Sequence, residues 1–179
     1  MKTIFLVRHA ESEANAAGLM AGTFDTPLTP KGKRQAKIAG KNLNGKKIEL
    51  IVCSPLTRTR QTAAAVAAEI GYDADKIKLD PLLIERNYGP YEGRPFTEYL
   101  EHQQKGKLQD GIETNEQLFE RVQKLMSKIK RMPEKRILLV SHGSTGRMIK
   151  LVVQNLEHSH FHTIDRIGNA EVIEFDLDD

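Results

Sequence analysis

The chain has little of several features that mark particular classes of protein. Its single cysteine, Cys53, permits neither an internal disulfide nor a cysteine metal cluster. No apolar stretch reaches the length of a transmembrane helix, and Arg8, His9 and Glu11 interrupt the apolar start before it could serve as a signal peptide. The formal net charge is only +3, which does not by itself indicate nucleic-acid binding. We therefore expect a cytoplasmic enzyme or binding protein with no nucleic-acid partner and no membrane partner.

Short apolar segments alternate with helix-forming segments along the chain. Buried strands are predicted at residues 4–7, 50–53 and 137–140, and a last strand is predicted near residues 172–175. Helices are predicted at residues 30–43, 62–70, 97–104, 114–129 and 145–156. Thr29-Pro30 and Ser54-Pro55 each place a capping residue before a proline, a pattern that begins helices. Buried strands that alternate with helices favour an α/β fold with a mainly parallel sheet.

Residues 80–111 contain several glycines and prolines and little sustained periodicity, so they are interpreted as a long excursion from this pattern. The chain shows no internal repeat, low-complexity segment or linker, and a single domain over residues 1–179 is expected. The side chains of Tyr88, Tyr91, Phe96 and Tyr99 are candidate walls of a binding site in the excursion.

Charged and imidazole side chains follow the predicted strands. The first strand ends at Arg8-His9 and the third at Ser141-His142-Gly143, while Arg58 lies one helical turn beyond the second. In an open α/β sheet, ligands bind outside the carboxyl ends of the strands. If the three strands are neighbours, these side chains form one pocket for an anion, since guanidinium groups match phosphate oxygens bidentately.

Such a pocket suits phosphoryl transfer. A neutral imidazole can attack phosphorus, and the reaction is catalysed mainly by positioning and charge neutralisation. The sequence has no P-loop and no carboxylate cluster of obvious metal-site spacing, which favours a metal-independent route. That route needs an acid for the leaving oxygen, and a glutamate at the rim, kept protonated by anionic surroundings, would serve.

Several motifs occur in a fixed order over nearly the whole chain. They are LVRHAESEAN at residues 6–15, DTPLTPKG at 25–32 with Gln35-Ala36, SPLTRTRQTA at 54–63, Glu85, Gly89, Glu92-Gly93, and SHG at 141–143. In this order they resemble the signature of the histidine phosphatase superfamily, also called the phosphoglycerate mutase-like family. Ala10 is a departure, because glycine is commoner at that position.

The resemblance implies a three-layer α/β/α sandwich with a mixed, mostly parallel sheet, and it makes residues 80–111 a cap over the active site. It implies that His9 is the phosphorylated nucleophile and that Glu85 is the acid and base, with Glu92 as a nearby alternative. Arg8, Arg58 and His142 would form the phosphate pocket. The residues expected to bind substrate are Ser12, Asn15, Gly22, Thr23 and Gly143. No cofactor and no metal ion are expected.

The family contains hydrolases and mutases, and the sequence favours a hydrolase. Tyr91-Glu92-Gly93 resembles the phosphatases, whereas mutases typically carry leucine-glutamine-glycine there. Ala21 stands where mutases usually place a threonine, and the paired arginines of mutases have no counterpart at 97–113. The chain also ends soon after its last predicted strand, without the mutase C-terminal tail.

We therefore predict a phosphatase for small phosphorylated metabolites. The alternatives are a phosphoglycerate mutase, a protein phosphatase acting on phosphohistidine or phosphoserine, and a catalytically silent module that binds anions. The oligomeric state, monomer or homodimer, stays open.

Two other groups of residues are given structural interpretations. His158, His160 and His162 alternate like metal ligands on an extended segment, but a polar loop is favoured. Residues 31–47 hold seven basic residues and no acidic one, which is typical of a solvated helix face.

Overall fold

A mixed sheet of five strands forms the centre of the computed structural model, which describes residues 1–177. The strands are β1 (Lys2–Arg8), β2 (Leu50–Cys53), β3 (Lys78–Leu79), β4 (Arg136–Ser141) and β5 (Val172–Leu177). Their order across the sheet is β3-β2-β4-β1-β5. The first four strands pair in parallel, and β5 pairs antiparallel with β1 at the edge. The predicted mixed, mostly parallel sheet is confirmed.

Helices cover both faces of this sheet. They are α1 (Glu13–Ala16), α2 (Pro30–Leu43), α3 (Thr57–Ile70), α4 (Phe96–Gln104), α5 (Asn115–Lys130) and α6 (Gly143–Val153). Alternate residues of a strand point to opposite faces. Phe5 and Val7 accordingly pack in the core formed with α2 and α3, while Ile4 and Leu6 pack in the core formed with α5 and α6. Burial on both faces explains why β1, β2 and β4 carry continuous apolar runs, and it produces the three predicted layers.

Within residues 1–177, none of the helices combines the length and the apolar character that a membrane span requires.

The helix after β2 begins at Thr57, later than the Ser54-Pro55 start signal but before the predicted range 62–70. Ser54-Pro55 is not the start of α3, because the Ser54 hydroxyl lies 2.7 Å from the His142 Nε2 instead of capping the helix. The cap comes from a distant segment, since the Asp25 carboxylate accepts hydrogen bonds from the Thr57 amide at 2.9 and 3.0 Å and from its hydroxyl at 2.7 Å. Strand β3 was not predicted, because two residues are too few to show a periodic pattern.

The excursion at residues 80–111 contains α4 and two short 3-10 turns, Pro81–Leu83 and Gly89–Tyr91. It has an aromatic cluster of its own, in which the Tyr99 ring meets the rings of Tyr88 and Tyr91 edge-on at centroid distances of 5.2 and 5.5 Å. Its first turn is attached to the end of β4, where the Ser141 hydroxyl donates to the Leu83 carbonyl at 2.8 Å. This attachment brings the following residues to the sheet edge that carries the predicted pocket.

Candidate active site

Strands β1, β4 and β2 are neighbours, so their carboxyl ends meet at one edge of the sheet. The His9 amide, just beyond β1, donates to the Ser141 carbonyl at the end of β4 at 2.9 Å. The ring centroids of His9 and His142 lie 5.2 Å apart. The condition on which the sequence prediction depended, adjacency of these strands, is therefore met.

The protonation of the His9 ring can be deduced from its neighbour. The Nδ1 atom lies 2.7 Å from the Ala10 carbonyl oxygen, which can only accept a hydrogen bond. Nδ1 therefore carries the proton, and Nε2 keeps its lone pair. Burial, the neighbouring His142 and the charges of Arg58 and Arg8 hold the pKa of His9 well below its usual range. The group is a neutral imidazole with a free nucleophilic nitrogen.

His142 is also buried and neutral. Its pKa lies well below the usual range because of burial and because of the charges of Arg58 and Arg8. Its Nε2 lies 2.7 Å from the Ser54 hydroxyl, whereas its Nδ1 is buried with no partner anywhere in the described chain. When the serine donates to Nε2, the ring proton is on Nδ1 and is available to an oxyanion.

Two guanidinium groups complete the pocket. The Arg8 Nη1 donates to the Ile167 carbonyl at 2.6 Å. The Nη atoms of Arg58 donate to the carbonyls of Gly22 at 2.6 Å and Phe24 at 2.9 Å. Burial lowers the pKa of both arginines, although the Glu85 charge opposes this. Of the residues at 1–177, none accepts a hydrogen bond from the buried Nε of either arginine. Unsatisfied buried donors are costly, and an oxyanion would satisfy both.

Glu85 lies beside these arginines, against the N-terminus of α6. Its carboxylate accepts hydrogen bonds from the amides of Arg86 at 2.9 Å, Ser144 at 3.1 Å and Thr145 at 3.0 Å. Burial acts to raise its pKa, but these three amides and the Arg58 charge outweigh it, so the pKa lies below the usual range. The carboxylate is thus a buried anion among cationic neighbours, unlike the protonated rim glutamate that we expected.

Glu92, the alternative acid, has a different environment. Its carboxylate accepts from the Thr23 amide at 2.8 Å, the Thr23 hydroxyl at 2.6 Å and the Tyr88 amide at 2.9 Å. A side chain at Gly22 would collide with it, because an added Cβ would lie 2.1 Å from its Oε1. Glu92 therefore joins two loops, one of which provides the carbonyls that orient Arg58.

The remaining predicted residues fall into two groups. Gly143 lies in the pocket, where an added Cβ would be 3.6 Å from both the Arg8 Nε and the Glu85 Oε2. Ser12 and Asn15 form a reciprocal capping box at the start of α1, with the Ser12 side chain fully buried. Their contact with substrate stays a prediction, as does that of Gly22 and Thr23.

Sequence reasoning missed the support that comes from the loop before β5. The Asn169 side chain donates to the His9 carbonyl at 3.0 Å and to the Asn15 Oδ1 at 3.1 Å, across the fold from its place in the chain. The sequence signal in that region was the alternating histidines, which lie in a 3-10 turn, His158–Thr163. The described chain holds no group of three or more acidic, histidine or cysteine residues placed to bind a metal ion.

A cleft of about 1110 Å³ adjoins the pocket on the side of Glu85 and Thr23. Its lining also includes Arg86, Tyr99, Asn115 and the end of the excursion, whereas His9 is not among its lining residues. Of the four aromatic wall candidates, Tyr99 is the one that lines this cleft. The other three are held in the aromatic cluster of the excursion.

A neutral imidazole, a second histidine and two arginines around one anion pocket, at the ends of parallel strands, define a site for phosphoryl transfer. The comparison with known families agrees. Residues 4–179 match the model of the histidine phosphatase superfamily, branch 1, and the chain belongs to this superfamily.

Relatives and solved structures carry several activity names. A protein of Hydrogenobacter thermophilus named putative phosphoserine phosphatase 2 is 30% identical, over 96% of this chain and 89% of its own length. A protein of Enterobacter named probable phosphoglycerate mutase GpmB is 36% identical, over 80% of this chain and 70% of its own length. Structurally, a mycobacterial glucosyl-3-phosphoglycerate phosphatase has a TM-score of 0.86 at 22% identity, covering 97% of this chain and 92% of that one. A putative alpha-ribazole-5'-P phosphatase of Escherichia coli has a TM-score of 0.85 at 23% identity, and the match covers 99% of this chain and 92% of that one. These two structural likenesses show the fold.

Proposed function

We propose that the protein is a metal-independent phosphatase that hydrolyses phosphate monoesters of small metabolites through a phosphohistidine at His9. One observation carries the proposal. A neutral imidazole with a free Nε2 lies beside three buried nitrogens that have no partner within residues 1–177, the Nε atoms of Arg8 and Arg58 and the Nδ1 of His142. A bound phosphoryl group would satisfy all three while presenting its phosphorus to His9.

In the first step, the lone pair of the His9 Nε2 forms a bond to phosphorus. The bond from phosphorus to the ester oxygen breaks, and its electron pair leaves with that oxygen. Arg8 and Arg58 neutralise the phosphoryl charge in a site from which water is largely excluded, where such interactions are strong. The ring proton stays on Nδ1, held by the Ala10 carbonyl, so the phosphohistidine forms without a proton transfer from the nucleophile.

The leaving oxygen takes its proton from Glu85. This carboxyl group is ionised in the free protein, but a phosphate dianion beside it is a like charge that favours the protonated form. In the second step, water attacks phosphorus and gives a proton to the Glu85 carboxylate. The N–P bond then breaks, the electron pair returns to Nε2, and inorganic phosphate leaves.

The names of relatives support this class of reaction and also one alternative. The names phosphoserine phosphatase and glucosyl-3-phosphoglycerate phosphatase agree with ester hydrolysis. The name probable phosphoglycerate mutase favours return of the phosphoryl group to a second hydroxyl. Incubation with 3-phosphoglycerate separates the two, because a phosphatase releases inorganic phosphate and a mutase forms the 2-phosphate isomer.

The test is hydrolysis of p-nitrophenyl phosphate in the presence of EDTA. Wild-type protein should turn over, and His9→Ala should lose nearly all activity. His160→Ala is the matched control, because this exposed histidine lies outside the pocket. Rapid quenching with radiolabelled substrate should trap an acid-labile phosphoenzyme in wild type and not in His9→Ala. Retained turnover in His9→Ala contradicts the mechanism, and a protein that binds phosphate without turnover would be the silent module.

A further inference from the structure

The residue after Glu85 has an arginine side chain that the fold uses incompletely. Arg86 is 7% exposed and lines the cleft beside the phosphate pocket. Its Nη2 donates to the Asn115 Oδ1 at 2.6 Å, and its guanidinium lies 4.7 Å from the centroid of the Phe161 ring. Its Nε is buried with no acceptor, and no carboxylate in the described part of the chain forms an ion pair with it. A buried guanidinium in this state lacks an anion.

The other arginine of the cleft is fully engaged. Arg121 directs its Nε and Nη2 to the two oxygens of Glu113, each at 2.9 Å, and its Nη1 to the carbonyls of Leu82 and Ile84. Glu113, an acidic group of the cleft wall, is thereby neutralised. Of the two arginines that line the cleft, Arg86 is therefore the one that no carboxylate of the described chain pairs with.

Packing against Phe161 does not account for the free donor of Arg86. Arg147 stacks on the same ring at 4.3 Å, and it directs its Nε to the Ile164 carbonyl and its Nη2 to the Phe161 carbonyl, both at 2.9 Å. An arginine can thus stack on this ring with its donors satisfied by the protein. At Arg86 the protein supplies one acceptor, the Asn115 Oδ1, and the buried Nε of the guanidinium group has none.

We propose that Arg86 binds a carboxylate on the leaving group of the substrate, which makes the preferred substrates small phosphorylated acids. The inference rests on the proposed function, in which Glu85 protonates the leaving oxygen. Since Glu85 and Arg86 are consecutive residues and both line the cleft, a group that is attached to that oxygen and lies in the cleft would pass Arg86. A planar carboxylate matches the guanidinium fork in shape and charge.

The experiment compares two substrates that differ only at this group. 3-Phosphoglycerate and glycerol 3-phosphate share a three-carbon chain, but one ends in a carboxylate and the other in a hydroxymethyl group. Wild-type kcat/KM should favour 3-phosphoglycerate by at least about tenfold, the effect of one charge-assisted hydrogen bond. In Arg86→Gln this preference should fall by about 10- to 100-fold, because kcat/KM for 3-phosphoglycerate falls much more than kcat/KM for glycerol 3-phosphate. Arg86→Lys should keep part of it.

Arg147→Gln is the matched control, because it removes a guanidinium from the same aromatic ring without touching the cleft. It should leave the ratio of the two substrates unchanged. An equal loss for both substrates in Arg86→Gln, or a wild type without preference, would overturn the inference. If Arg86→Gln fails to fold, the ratio of the two kcat/KM values in the wild-type protein still tests the inference. Absence of p-nitrophenyl phosphate hydrolysis by wild type would instead overturn the proposed function.

Discussion

Acidification from about pH 7.5 to about pH 5.5 should destabilise the fold through two buried histidines. The pKa values of His9 and His142 are well below 6.5 in the folded protein, first because of burial and then because of the neighbouring charges. In the unfolded chain these imidazoles regain an ordinary pKa and bind protons below about pH 6.5. The unfolded state then binds more protons than the folded state. The stability due to the neutral rings is therefore complete above pH 6.5 and is lost as the pH falls.

The magnitude follows from the linkage relation. Each histidine that stays neutral in the fold costs about 1.4 kcal/mol for each pH unit below its unfolded pKa. Between about pH 7.5 and pH 5.5 the two rings together remove about 3 kcal/mol, a large part of the roughly 5–15 kcal/mol typical of a domain. Glu85 does not contribute in this range, because its folded pKa is lowered from 4.5 and its stabilisation is lost only in stronger acid.

Urea denaturation followed by far-ultraviolet circular dichroism measures this loss. The buffer should be free of phosphate, because an anion that binds the folded pocket would raise the apparent stability. Wild type should lose about 3 kcal/mol between the two pH values, and His9→Gln or His142→Gln about half as much. The double variant should lose little. An unchanged wild-type stability, or a full loss in the double variant, would refute the assignment of neutral buried rings.

Three further predictions concern activity and packing. The kcat/KM for p-nitrophenyl phosphate should be higher in mild acid than at about pH 8, because the nucleophile is neutral at both while the acid is more often protonated in acid; a rise toward alkaline pH would contradict this. Gly32→Ala should lower the free energy of unfolding by about 2 kcal/mol or more, because the new Cβ would lie 2.0 Å from the Glu11 carbonyl oxygen. The exposed Lys33→Ala is its control, and equal urea midpoints for the two variants would count against it. Glu92→Gln should lower kcat/KM by about tenfold, since a glutamine amide group cannot accept every hydrogen bond that the Glu92 carboxylate accepts from Thr23. An unchanged kcat/KM in this variant would show that the loop of Thr23 does not depend on these hydrogen bonds.

The predictable part of the site is the part that depends on strand ends. Arg8, His9 and His142 follow apolar strands directly, and parallel neighbours bring such residues to one edge. The residues that hold this pocket in shape could not be predicted in the same way. The Asp25 cap on α3 joins groups 32 positions apart, and the Asn169 contact with His9 joins groups 160 apart. Periodicity and capping patterns describe neighbours in sequence, so they carry no information about such contacts.

In the proposed function, the reaction and the choice of substrate depend on different parts of the fold, and Glu85 lies where these parts meet. Residues 83–85 are fixed to the end of β4 and the start of α6, since the Ser141 hydroxyl donates to the Leu83 carbonyl and Thr145 donates to both Ile84 and Glu85. Ile84 and Glu85 also line the cleft, and from Arg86 onward the excursion supplies much of the rest of its wall. The proposed acid is therefore held by the same rigid elements as the proposed nucleophile, whereas the side chain of the next residue can change without moving it. A loop anchored in this way allows one phosphoryl pocket to serve many leaving groups, and for this reason motifs that predict the chemistry do not predict the substrate.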